Sequence, residues 1–181
     1  AIKKLGIKVK VNESNIKIYG QGLNGYKYKK KLRIDAQNSG TLGRLILGML
    51  IDTPYAIKIV GDKSLSKRDF KRISDPLSKF GAKFYLSKNK NLPLTILGSE
   101  KLNSIKYVEN KGSAQCKSSV ILAAMKANGT TTIKAKKSRN HTELLCKYLK
   151  LPIKVINKKN YDLINIKKVK NIKPLNYSIP S

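Results

Sequence analysis

The chain has 181 residues, with 39 Lys or Arg against 10 Asp or Glu and one His, for a formal net charge of +29. A hydrophobic share of 40% excludes a disordered polybasic tail, and the length suits one ordinary domain with a real core. The richest apolar run, 45–51, is interrupted by Gly48 and falls short of the roughly 18 residues of a membrane span, so no membrane partner is expected.

In chain order, the elements begin with a β-hairpin over 5–9 and 16–19, followed by a strand over 33–36. A helix over 41–51 carries Leu42, Leu45, Ile46 and Met49 at helical spacing. A strand over 56–60, a helix over 67–80 and a hairpin over 80–84 and 94–97 follow. The same order then returns: a strand over 105–108, a helix over 114–127 with Val120, Ile121, Ala124 and Met125, a strand over 131–135, a helix over 139–149 and a hairpin over 151–155 and 163–166.

Three matching segments mark this repetition: Leu5-Gly6-Ile7-Lys8-Val9, Phe80-Gly81-Ala82-Lys83-Phe84 and Leu151-Pro152-Ile153-Lys154-Val155. The repeating unit is β-α-β-α-β-β, which predicts an α/β (α+β) fold. Phasing divides the chain into the end of a first repeat (1–30), a second repeat (31–102), a third (103–174) and the start of a following segment (175–181). That phase, with Ala1 in place of an initiator Met, leads to the expectation of an excerpt from a longer protein, an incomplete domain cut at both ends.

The charge says less than its size suggests. Only five basic residues are Arg (Arg33, Arg44, Arg68, Arg72, Arg139), and the Lys residues are spread through nearly every segment. Arg is the better group for bidentate phosphate and base-edge contacts, so no specific nucleic-acid partner is expected. What remains is a positive field that attracts small anions. The two Cys, Cys116 and Cys146, form no disulfide framework and fall inside helices, where packing is the expected role; a cytoplasmic setting follows. His141 has no Cys, Asp or Glu cluster around it, and no metal is expected.

Loop-to-helix junctions are natural anion sites, since unpaired N–H groups and the positive helix end face the ligand. Two such junctions recur, Asn38-Ser39-Gly40-Thr41 and Gly112-Ser113-Ala114-Gln115, where Gly40 permits close approach and Gln115 offers donor and acceptor. Helix capping alone would also account for both. Arg68 and Arg139 lie 71 residues apart, at one repeat position ahead of successive second helices. Bidentate binding of carboxylate or phosphate is one reading, and a local salt bridge the other.

The runs Asn38-Ser39-Gly40-Thr41 with Arg44-Leu45, Gly61 to Arg68, Leu92-Pro93-Leu94-Thr95-Ile96, Ser113-Ala114-Gln115-Cys116-Lys117-Ser118 and Ser138-Arg139-Asn140-His141-Thr142-Glu143 resemble, in order and through the whole chain, the 3-phosphoshikimate 1-carboxyvinyltransferase (EPSP synthase) family. The resemblance implies two similar domains of three β-α-β-α-β-β units each, of which these residues would be most of the first. It implies transfer of the enolpyruvyl group of phosphoenolpyruvate to the 5-hydroxyl of shikimate 3-phosphate, with release of phosphate and with no metal or organic cofactor. By the same resemblance Ser113, Ala114, Gln115, Ser138 and Arg139 would bind shikimate 3-phosphate, and Gly40, Arg68 and Gln115 phosphoenolpyruvate. The general acid and base would lie outside these residues, the missing second domain would be the partner that completes the site, and the full-length enzyme would be a monomer. The UDP-N-acetylglucosamine enolpyruvyl transferase shares the architecture but not the Ser-Ala-Gln and Ser-Arg-Asn-His-Thr-Glu runs, and a basic nucleic-acid-binding protein is the alternative of another class.

Overall fold

Two four-stranded sheets of the same topology flank a layer of helices. A computed structural model describes residues 1–13, 15–23 and 25–175; the predicted following segment therefore lies, from 176 on, outside the described residues. Strands β1 (Val9–Val11) and β2 (Ile16–Ile18) form a two-stranded antiparallel ribbon. The second repeat comprises β3 (Leu32–Asp35), α1 (Gly40–Met49), β4 (Ile57–Val60), α2 (Lys71–Ser78), β5 (Lys83–Leu86) and β6 (Leu94–Leu97). The third comprises β7 (Lys106–Glu109), α3 (Ala114–Ala124), β8 (Thr130–Lys136), α4 (His141–Tyr148), β9 (Ile153–Asn157) and β10 (Tyr161–Lys167).

The sheet orders, β3-β4-β6-β5 and β7-β8-β10-β9, are the same arrangement twice. In each, the first two strands run parallel through an intervening helix, and the hairpin joins antiparallel, so that Ile34 pairs with Ile59 as Tyr107 pairs with Ile133. A parallel pair needs a crossover, which α1 and α3 supply. Inward residues of the central strands, Ile57, Ile59, Ile133, Ile164 and Ile166, are fully buried against the helices.

The helices α1 and α3 pack side by side, and small residues make this possible. A Cβ on Gly48 would come within 2.1 Å of the Ser119 carbonyl oxygen, so only glycine allows the two backbones to meet there. The Ser119 hydroxyl donates to the Arg44 carbonyl at 2.9 Å, and the Lys126 ammonium donates to the Met49 carbonyl at 3.0 Å and to Asp52 at 2.6 Å. These bonds satisfy polar groups that the close packing removes from water.

Two predicted elements differ from the structure. The first matching segment does not open as a strand: Ile2–Leu5 is a 3-10 turn, closed by Gly6 at φ 80°, and pairing begins only at Val9. Its counterparts behave alike, with Leu5, Phe80 and Leu151 all buried and β5 and β9 starting at the fourth and third residues of their segments. The shared motif is thus a corner that leads into a strand. The helix expected over 67–80 is divided into a 3-10 turn at Leu65–Lys67 and α2, because Arg68 is extended (φ −79°, ψ 145°) and the Asp69 carboxylate takes the Lys71 N–H at 2.7 Å. Other boundaries shift by one to three residues, as helix and strand ends do.

Candidate functional site

The N-termini of α1 and α3 lie together, each capped by a serine in the same pose. Ser39 (φ −84°, ψ 94°) accepts the Leu42 N–H at 3.1 Å, and Ser113 (φ −87°, ψ 103°) accepts the Cys116 N–H at 3.3 Å. Both hydroxyls use the oxygen as the cap, which leaves their protons free to donate outward. Both junctions thus have the helix capping that was the alternative to ligand binding there.

Gln115 joins the two helix ends. Its Nε2 donates to Thr41 Oγ1 at 2.8 Å, and its Oε1 accepts from Arg44 Nη1 at 2.9 Å. Arg44 Nη1 also reaches the Gly40 carbonyl at 3.4 Å, and its guanidinium stacks over the Phe70 ring at 5.2 Å. Burial, and after it the charges of Arg68 and Arg72, push the Arg44 pKa below its ordinary value, while Cys116 and Asp69 act the other way. An anion placed among these three guanidinium groups would relieve their mutual repulsion.

That space exists. A pocket of about 230 Å³ is lined by Arg44, Arg68, Asp69, Arg72, Ser113, Gln115 and Cys116. Gly40 is buried against the two arginines: a Cβ there would lie 2.7 Å from Arg44 Nη1 and 3.1 Å from Arg68 Nη1. A second pocket, about 320 Å³, lies beside it and is lined by Gly112, Ser113, Ala114, Gln115, Ser138 and Arg139. Within it the Ser138 hydroxyl oxygen is buried and has no hydrogen-bond partner among the described residues. A third hollow, about 160 Å³, adds Thr41, Leu45, Ser118, His141 and Thr142 to Ala114, Gln115 and Arg139.

Of the predicted site residues, Ser113, Ala114, Gln115, Ser138 and Arg139 line one pocket and Arg68, Ser113 and Gln115 the adjoining one, while Gly40 lines neither and packs behind the Arg44 and Arg68 guanidinium groups. Neither Arg68 nor Arg139 is in an ion pair with a carboxylate among the described residues, which removes the local salt-bridge reading of those two. Arg44, Arg72, Thr41 and Thr142 also line these pockets, although none of them is a site residue expected from the sequence. Their signal is spacing: Arg44 follows Gly40 by one turn of α1, Arg72 follows Arg68 by four residues, and Thr41 holds the repeat position of Gln115. Among the described residues no group of three or more His, Cys, Asp or Glu side chains is placed to hold a metal ion.

The EPSP synthase (3-phosphoshikimate 1-carboxyvinyltransferase) family model matches residues 1–181. The chain belongs to the EPSP synthase family. The 3-phosphoshikimate 1-carboxyvinyltransferase of Leuconostoc mesenteroides is 37% identical over 99% of this chain and 40% of its own length. That of Bacillus subtilis is 41% identical over 78% of the chain and 33% of its own. An EPSP synthase structure from Acinetobacter baumannii superposes with a TM-score of 0.85 at 30% identity, covering 95% of this chain and 38% of that one. The enolpyruvyl transferase NikO of Streptomyces tendae, at TM-score 0.59 and 12% identity over 92% of this chain and 38% of its own, shares the fold alone. The chain therefore spans about two fifths of the length of the EPSP synthases it resembles.

Proposed function

We propose that the whole protein carrying this chain transfers the enolpyruvyl group of phosphoenolpyruvate to the 5-hydroxyl of shikimate 3-phosphate, giving 5-enolpyruvylshikimate 3-phosphate and phosphate. Residues 1–181 would be most of the first of its two domains. The observation that carries this reading is the shared Gln115, which belongs to both anion pockets and is fixed by Thr41 and Arg44 between them. A reaction between two phosphorylated acids needs adjacent cation-lined sites of this kind, so that encounter becomes intramolecular.

In this reading Arg68, with Arg44 and Arg72 beside it and with Gly40 leaving room for the guanidinium groups, holds phosphoenolpyruvate. Ser113, Ala114, Gln115, Ser138 and Arg139 hold shikimate 3-phosphate, with the unpartnered Ser138 hydroxyl as one donor. Fixed guanidinium groups and helix ends offset the charge of both substrates and of the tetrahedral adduct between them, without reorganising as it forms. The proton-transfer groups belong to other parts of the protein, so these residues alone bind weakly and do not turn over. A cytoplasmic monomer with no organic or metal cofactor completes the proposal.

The test is product formation by the whole protein, followed as phosphate release that requires both substrates. Release that requires UDP-N-acetylglucosamine and ignores shikimate 3-phosphate would overturn the reading.

A further inference from the structure

We infer that Glu109 is a positioning residue: its buried carboxylate fixes the corner that presents Ser113 to the bound anion. The inference rests on the reading of the Ser113 pocket given above. Glu109 ends β7 and is only 4% exposed. Its Oε2 accepts the Ser113 N–H at 2.9 Å and its Oε1 the Lys111 N–H at 3.3 Å, so one side chain ties both ends of the Gly112 turn, where φ is 68°. Glu109 holds the Ser113 N–H while the Ser113 hydroxyl oxygen caps Cys116, which leaves the hydroxyl proton available to a ligand.

A buried negative charge beside an anion site is a cost that needs its own reason. Arg72 supplies part of the answer: its Nη2 lies 3.9 Å from Glu109 Oε1 while the residue lines the Arg44–Arg68 pocket, so its charge stands with the carboxylate. The preceding repeat shows the simpler form of the same device. Asp35 ends β3 at the matching position and accepts the Gln37 N–H at 2.8 Å, but it is exposed and among the described residues holds only that one amide. The extra methylene of Glu109 is what reaches Ser113. The longer, buried version occurs at the one of the two junctions whose capping serine lines both anion pockets.

The experiment uses Glu109→Asp and Glu109→Gln in the whole protein. The aspartate keeps the charge and the reach that Asp35 has, and gives up the bond to Ser113. Its KM for shikimate 3-phosphate should rise about tenfold, as for one charge-assisted bond, with kcat within about twofold and a smaller rise in the KM for phosphoenolpyruvate, whose pocket Ser113 and Arg72 also line. If the carboxylate only repelled the anion, Glu109→Gln would lower that KM; the positioning role has it rise. Hydrogen exchange at the Ser113 amide should quicken in both variants, and this readout does not depend on the identity of the substrates. Unchanged exchange in Glu109→Asp, or equal movement of both KM values, would overturn the inference. A wild-type protein that turns over neither substrate would sink the functional reading instead, and amide exchange would then decide the role of Glu109 by itself.

Discussion

Gln115 and Thr41 are hydrogen-bonded at 2.8 Å and lie 74 residues apart in the chain, the same separation as their capping serines Ser113 and Ser39. Equivalent positions of two repeats therefore touch across the near-symmetric contact of α1 and α3, and Gln115 lines both of the adjoining arginine-bearing pockets.

Replacing Gln115 by Ala removes the bonds to Thr41 and to Arg44 together. With about 1–1.5 kcal/mol for each, kcat/KM of the whole protein should fall by roughly 30–160-fold, and the KM values of both substrates should rise. Steady-state kinetics with each substrate varied in turn checks this; a rise in only one KM would remove Gln115 from the shared position.

Arg139 and Arg68 should separate by substrate. Arg139→Ala is expected to weaken shikimate 3-phosphate binding by about 1.5–3 kcal/mol and Arg68→Ala to weaken phosphoenolpyruvate by a similar amount, as for hydrogen bonds to a charged partner. Calorimetric titration of each variant with each ligand reads the crossed pattern, and unaltered affinity in the matched pair would contradict it.

Gly40→Ala introduces a methyl group 2.7 Å from Arg44 Nη1 and 3.1 Å from Arg68 Nη1. Both contacts are with the ends of flexible side chains, so the fold should accept the change while the guanidinium groups move. The KM for phosphoenolpyruvate should rise several-fold with little effect on shikimate 3-phosphate, and thermal denaturation should stay close to wild type. Equal losses for both substrates would mean that the effect of Gly40 is not confined to one pocket.

Lys117 and Glu143 form a buried ion pair at 2.6 Å that ties α3 to α4, next to a Thr142–Ser118 hydroxyl bond of 2.7 Å. Lys117→Met leaves Glu143 buried and uncompensated, which should cost about 3–5 kcal/mol. Changing Glu143 to Leu as well should recover most of that loss. Urea denaturation of the single and double variants measures it; a double variant as unstable as the single one would argue against charge burial as the cause.

Burial, and secondarily Glu143, push the Cys146 thiol from its ordinary 9.0 up to about 11. The thiol is thus neutral and slow to react at pH 8 in the folded state. Because the folded value is the higher one, this group's contribution to stability is intact below pH 9.0 and falls away as pH rises toward about 11. Alkylation rates on native and urea-unfolded protein at pH 8 test the first part, and denaturation midpoints at pH 8 and 10 the second.

Much of this was legible because it repeats. The doubled order of elements, the Ser-capped junctions and the Arg68–Arg139 correspondence are all visible as residues returning after a little over seventy positions, and the sheets follow them. Arg44, Arg72 and Thr41 escaped because each is an ordinary helix-surface residue until α1, α2 and α3 are packed; only then do they converge on Gln115 and Ser113. Lys117 is invisible for the opposite reason: in a chain so rich in exposed Lys, nothing local marks the one that is wholly buried and paired with Glu143. The first hairpin began late because the corner motif carries the same alternation as a strand, and only the left-handed Gly6 distinguishes them.

The contact of Gly48 with the Ser119 carbonyl lies well below the site, yet it acts as a ruler for it. Helices are stiff over two turns, so the gap between the tips of α1 and α3 is inherited from the distance at which their backbones meet lower down. A side chain at Gly48 would splay the pair, stretch the Gln115–Thr41 bond and alter the spacing at which two ligands are presented to each other. The selectivity of such a site for a particular pair of reactants would then be written partly in a glycine that touches neither.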